Sequence, residues 1–206
     1  MTDDELQFAR RVLSEGGVVA VATETYFGFL ADARQTTAID RVFSLKGREA
    51  SKGVALLLPG REAWASLVTQ IPPLAARLAD QFWPGPLTIA LPARTGIDAR
   101  LQTEGTVAVR WPGASDASRL AAAFGAPLTA TSANLAGRPA PQQAADVEAA
   151  FADAVARSEL CVVSGRAPGG APSTVVGIEG GQVKVLRQGQ IRESELAGVV
   201  PRASFG

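Results

Sequence analysis

The sequence predicts one α/β domain built on a mixed sheet, and three observations carry that prediction. Helical and strand patterns intersperse along 206 residues, with no repeat, low-complexity block or linker between them. Most strand candidates are short, continuous apolar runs bounded by Gly, Pro or polar residues, as buried strands are. Near the C-terminus, residues 173–178 and 182–187 are joined through Glu179-Gly180-Gly181. That Gly-Gly hairpin signal requires antiparallel pairing and argues against a purely parallel sheet.

Residues 4–14 carry Leu6, Ala9, Val12 and Leu13 at helical spacing, and Gly16-Gly17 stops that helix. Residues 18–22 form an apolar, β-rich run that leads directly into Thr23-Glu24-Thr25-Tyr26-Phe27-Gly28. Polar side chains at a strand exit line sites in α/β folds; they also mark ordinary turns, so this stretch alone decides nothing. Thr36-Thr37 is read as a cap for a helix with Ile39, Val42, Phe43 and Leu45 on its apolar stripe. The helix ends in Lys46-Gly47-Arg48-Glu49-Ala50-Ser51-Lys52-Gly53, three cations and two glycines in eight residues. Arg as a planar fork and Lys as a point charge suit a phosphate-bearing ligand, but a cationic turn is more often simply solvated.

A strand follows at 54–58, then helices at 61–68 and 73–82. Trp83-Pro84-Gly85-Pro86 makes a rigid turn, with Trp83 as a core anchor, before a strand at 87–91. Residues 106–110 alternate as a strand and end in Arg110, a position where an isolated Arg is usually solvated. A helix at 116–124 is broken by Gly125, and 127–130 is a short strand. It runs into Thr131-Ser132-Ala133-Asn134 and a Gly/Pro loop, which offers several hydrogen-bonding groups or a capping turn. A helix at 143–155, a strand at 160–163 holding Cys161 in the core, a loop through Gly169-Gly170, the hairpin and a short helix at 192–198 complete the chain.

Composition narrows the chemistry. Lys and Arg number 20, as do Asp and Glu, so nucleic-acid or nucleotide contact must come from a local patch. A single cysteine excludes an internal disulfide and a cysteine-built metal site. The absence of histidine excludes Ser–His and Cys–His triads, zinc–histidine sites and imidazole acid/base catalysis. The acidic first residues lack an apolar signal core and no run approaches a membrane span, which makes a cytoplasmic protein with no membrane contact the expectation.

No motif is decisive alone; their order is. Thr23-Glu24-Thr25-x-Phe27-Gly28, Lys46-x-Arg48-x-x-x-Lys52-Gly53, Trp83-Pro84-Gly85-Pro86-Leu87-Thr88, Thr106-Val107-Ala108-Val109-Arg110, Thr131-Ser132-Ala133-Asn134, Pro172-Ser173-Thr174-Val175-Val176 and Leu186-Arg187-x-Gly189 together resemble the YrdC-like family. Its members include the threonylcarbamoyl-AMP synthases. The resemblance implies a twisted open mixed sheet with flanking helices and a concave basic cleft. It implies one domain over 1–206, with a core over about 8–190, a short tail at 191–206 and no second domain.

The implied activity is nucleotidyl transfer: L-threonine, bicarbonate and ATP give threonylcarbamoyl-AMP and pyrophosphate. Downstream threonylcarbamoyl-transferase proteins then modify tRNA beside the anticodon. The resemblance further implies catalytic Lys46 and Arg48. It implies ATP contacts from Lys46, Arg48, Lys52, Thr106, Ser132, Asn134, Ala140 and Arg187, and L-threonine contacts from Thr23, Arg110, Ala130 and Ser173. Mg²⁺ would be carried by the ATP phosphates and by no protein metal site. Attack of an N-carboxythreonine oxygen on the α-phosphorus needs negative charge neutralised, which cations supply without a histidine base.

Some positions depart from the family pattern. Ala22 stands for the usual proline, Tyr26-Phe27 for Val-Tyr, Gly177 for Asp, and Gly53 where many members have proline. Two rival readings stay open at this point. One is a module that binds double-stranded RNA or tRNA, against which the zero net charge weighs. The other is a family paralogue without synthase activity, or one using carbamoyl phosphate as in hydrogenase maturation.

Overall fold

The computed structural model describes residues 1–47 and 53–201. The chain opens on α1 (Asp3–Ser14), started by a Thr2–Glu5 capping box, and β1 (Val18–Ala22). An unanticipated strand, β2 (Phe27–Leu30), pairs antiparallel with β1. Its four residues are all buried, so no alternation betrays it, and its Gly28 reads as the end of a turn.

Next come α2 (Thr36–Lys46), β3 (Ala55–Leu57), α3 (Pro73–Phe82), β4 (Leu87–Pro92), the two-residue β5 (Gln102–Thr103) and β6 (Thr106–Arg110). The remainder comprises α4 (Asp116–Phe124), β7 (Leu128–Ser132), α5 (Ala144–Ala150), α6 (Ala152–Ala156), β8 (Leu160–Val162), β9 (Thr174–Glu179), β10 (Gln182–Arg187) and α7 (Glu193–Ala197).

Several boundaries correct the sequence reading. Gln35, not Thr36 or Thr37, caps α2, and its side chain bonds Ser14 and Asp32 rather than the helix. Residues 61–66 form a 3-10 helix, and the helix expected at 143–155 divides at Phe151, whose φ of −127° breaks the turn. Trp83 is the anchor expected: it is buried, its indole N–H donates to the Leu87 carbonyl at 2.6 Å, and its ring meets Trp64 edge-on. Cys161 is only half-buried, packed at the margin of the core, and burial raises its thiol pKa.

The strands form one mixed sheet in the order β10-β9-β4-β6-β3-β7-β2-β1-β8, with β5 beside β6. The β4–β9, β3–β6 and β1–β8 pairs are parallel and the others antiparallel. At the hairpin between β9 and β10, Gly180 and Gly181 have φ of 56° and 77°, the left-handed pair that a tight two-residue turn requires.

Three apolar clusters cover the sheet. The largest unites α3, β4, β6, Trp64 and Trp83, and it also takes in Ile191, Leu196 and Val200. Residues 191–200 are thus packed against the core. No helix among the described residues is long and apolar enough to cross a membrane.

Candidate active site

Two groups of side chains gather at ends of the elements. The first lies where α2 meets the exit of β7. Lys46 is buried, and its Nζ donates to the Ser132 carbonyl at 2.7 Å, the Asn134 carbonyl at 3.0 Å and Asn134 Oδ1 at 3.3 Å. An ammonium has three donors, and taking a buried one out of water requires such acceptors. The Lys46 carbonyl in turn accepts from the Ala136 N–H. Ser132 Oγ donates to Asn134 Oδ1, while Asn134 Nδ2 donates to the Leu135 and Arg138 carbonyls.

Lys46 and Ser132-x-Asn134, remote in sequence, therefore form one hydrogen-bonded corner, and the capping-turn reading of Asn134 holds alongside any ligand role. A cleft of about 440 Å³ adjoins it, lined by Asn134, Arg138, Ala140, Gln142 and Asp146 among others. Ala140 lines the same cleft as Asn134.

Arg48 and Lys52 lie outside the described residues. Their flanks are placed: Gly47 closes α2 in the left-handed region, and the Gly53 N–H donates to Thr103 Oγ1 at 3.0 Å. A Cβ on Gly53 would stand 2.8 Å from the Gln102 carbonyl group and from Thr103 Oγ1. The backbone approaches too closely for any side chain, and proline could not donate that bond; this explains the departure at this position.

The second group centres on Arg110 at the end of β6. The sequence makes a solvated terminal Arg the ordinary expectation; here Arg110 is buried, with 8% of its surface exposed, and Glu24 Oε1 stands 3.1 Å from its Nη1. Desolvation lowers the Arg110 pKa, and the Glu24 charge opposes that shift. Arg187, at the end of β10, donates to the Ser173 carbonyl at 2.9 Å and to Ser173 Oγ at 3.0 Å. Ser173 Oγ also shares a 2.9 Å hydrogen bond with Thr88 Oγ1, a buried hydroxyl. Although Arg187 is exposed as a residue, partial desolvation and then the like charge of Arg110 lower its pKa. Two cations therefore share one field, the arrangement an anionic ligand neutralises.

Thr23 continues from β1. Its Oγ1 accepts from the Thr25 and Tyr26 N–H groups at 3.1 and 3.2 Å and lies 2.7 Å from the Tyr26 carbonyl, to which it donates. This turn holds Glu24 over the sheet. The loop after β8 braces it, since the Gly169 N–H donates to the Thr25 carbonyl and the Tyr26 hydroxyl to that of Gly170. Phe27, which lacks the family's hydroxyl, is fully buried.

Ala130 lies on β7 opposite Ala55, between the two groups. Thr106 is not brought to Arg110: it sits at the other end of β6, where its hydroxyl donates to the Thr103 carbonyl at 2.7 Å. It shares that end with Gly53. Sequence reasoning assigned no role to Glu24 or Thr88. Both stood inside quoted motifs, and the only signal for Glu24 was a carboxylate among hydroxyls at a strand exit. Among the described residues no group of three potential metal-ligating side chains exists.

A large mixed sheet flanked by helices, with Lys46, Arg110 and Arg187 at element ends, defines an α/β protein with a cation-bearing candidate site. The Sua5–YciO–YrdC family model, described as "Telomere recombination", matches residues 11–189, and the chain belongs to that family. It is 34% identical over 198 residues to a threonylcarbamoyl-AMP synthase of Pyrococcus abyssi, covering 95% of this chain and 57% of the relative. Against the Chromohalobacter salexigens threonylcarbamoyl-AMP synthase it is 35% identical over 186 residues, covering 88% and 96% of the two chains. The crystal structure of P. abyssi Sua5 complexed with L-threonine superposes with a TM-score of 0.90 at 31% identity, covering all of this chain and 60% of that one.

Proposed function

We propose that the cleft makes threonylcarbamoyl-AMP from L-threonine, bicarbonate and ATP, releasing pyrophosphate, which makes the protein a nucleotidyltransferase. The observation that carries this reading is the pairing on one face of a cationic, hydroxyl-rich pocket (Arg110, Arg187, Ser173) with the interlocked Lys46/Ser132/Asn134 corner. Relatives named for this activity, one of them solved with L-threonine, support it.

In this reading Arg110 takes the threonine carboxylate as a fork, with Thr23, the Ala130 backbone and Ser173 completing the pocket. ATP lies along the Lys46 corner, with Ser132, Asn134 and Ala140 beside it, Thr106 at the start of β6, Arg187 reaching it from the Arg110 group, and Arg48 and Lys52 on its phosphates. The amine nitrogen, having given up a proton to solvent, bonds to the bicarbonate carbon and a C–O bond breaks to release water, which gives N-carboxythreonine. Its carboxylate oxygen attacks the α-phosphorus, the bond to the β-phosphate oxygen breaks, and pyrophosphate leaves. The protein's part is placement and neutralisation of charge, not proton transfer by a side chain. The described residues supply no ligand set for a resident Mg²⁺, so any Mg²⁺ would arrive on the ATP phosphates. The product would pass to a transferase acting on tRNA.

The test is pyrophosphate release by purified protein with ATP and Mg²⁺. Release is expected only when L-threonine and bicarbonate are both present. ATP or RNA binding without such release would reject the synthase reading in favour of a binding module or a paralogue.

A further inference from the structure

Glu24 is a charged residue beside Arg110 that the proposed chemistry leaves without a task. It leaves β1 in the turn 23–26, whereas Arg110 ends β6; β2, β7 and β3 lie between them in the sheet. Four strand spacings amount to about 19 Å along a flat sheet. Only the sheet's curl, with both side chains reaching over the concave face, brings the two groups to 3.1 Å.

That approach is not a hydrogen bond. Both Glu24 carboxylate oxygens are buried and, among the described residues, have no hydrogen-bond partner. An ionised carboxylate out of contact with water needs donors, and leaving them unmade is costly. The backbone turn that carries Glu24 is closed by the Thr25 and Tyr26 N–H groups donating to Thr23 Oγ1, and the carboxylate's one close charged neighbour among the described residues is Arg110. A ligand that brings a cationic donor group would satisfy it.

We propose that Glu24 and Arg110 form a clamp for an amino-acid zwitterion, with Arg110 taking the α-carboxylate and Glu24 receiving the α-ammonium. The proposal rests on the synthase reading and adds to it the basis on which the site selects an amino acid over a simple hydroxy acid. Arg110 alone would accept any small carboxylate. Arg187 and Ser173 add more affinity for the anion and none for the ammonium. Glu24 supplies the complementary charge, and Glu24 becomes satisfied at the moment the ligand loosens its hold on Arg110.

The experiment is calorimetric titration of the purified protein, without ATP, with L-threonine and with its deaminated analogue, in which a hydroxyl replaces the amino group. The wild type is expected to bind threonine about tenfold to a hundredfold more tightly than the analogue, the range of a charged hydrogen bond. Glu24→Gln is expected to abolish that preference chiefly by weakening threonine, with analogue binding changed less than about threefold. Glu24→Asp, which keeps the charge on a shorter stem, is expected to restore part of it.

A structural role for Glu24 would weaken both ligands alike and leave the ratio intact. Equal binding of the two ligands by the wild type would overturn the clamp, and so would a wild-type ratio in a folded Glu24→Gln protein. A wild type that binds no threonine would overturn the synthase reading together with the clamp.

Discussion

The two corners of the cleft are held by different forces. At the Lys46 corner the donors and acceptors of Lys46, Ser132 and Asn134 named above are engaged within the protein, by direct hydrogen bonds between two segments. At the Arg110 corner the central contact is charge facing charge, without hydrogen-bond alignment, between groups from strands far apart in the sheet. On the proposed account the first corner is finished before a ligand arrives and the second is completed by one. Enzymes that work by placement need both, a rigid frame for the nucleotide and a pocket whose electrostatics reward one substrate.

Substitutions can break this contrast in graded steps. Arg110→Met removes the cation and leaves Glu24 buried with no counter-charge; a loss of about 3–5 kcal/mol of stability and of measurable threonine binding is expected. Urea unfolding and titration check this, and adding Glu24→Gln to that variant is expected to recover much of the stability but none of the binding. Lys46→Met takes a charged donor from three oxygens, of which the Ser132 carbonyl and Asn134 Oδ1 keep a second donor. It is expected to cost about 2–3 kcal/mol and to lower pyrophosphate release at least tenfold, with threonine affinity nearly unchanged because the two corners are separate.

Gly189→Ala sharpens the account of Arg187. A Cβ there would stand 2.2 Å from the Pro172 carbonyl oxygen and 2.5 Å from Ser173 backbone, so that segment must move. A loss of about 1–3 kcal/mol and weaker threonine binding are expected. The smallest effect belongs to Ser173→Ala, which removes one acceptor from Arg187 and one partner from Thr88. About 1 kcal/mol is expected, read as a several-fold rise in the threonine dissociation constant.

What could be read from the sequence divides along the same line. Lys46 and the Ser132–Asn134 turn sit in short local motifs, so residue type and spacing expose them, and the hairpin was announced by Gly180-Gly181. The Glu24–Arg110 contact depends on how far the sheet curls, which no local pattern encodes. For the same reason Arg110 looked like an ordinary strand-terminal cation. The reason for Gly53 lies in the Gln102–Thr103 backbone, about fifty residues away, and β2 escaped notice because a strand buried on both faces shows no alternation.

The most direct test of the central claim is to follow labelled bicarbonate through the reaction. With L-threonine, ATP and Mg²⁺ present, label, threonine and AMP are expected in one product, in equal amounts with the pyrophosphate released. Turnover of ATP with no label joined to threonine and AMP would contradict the account.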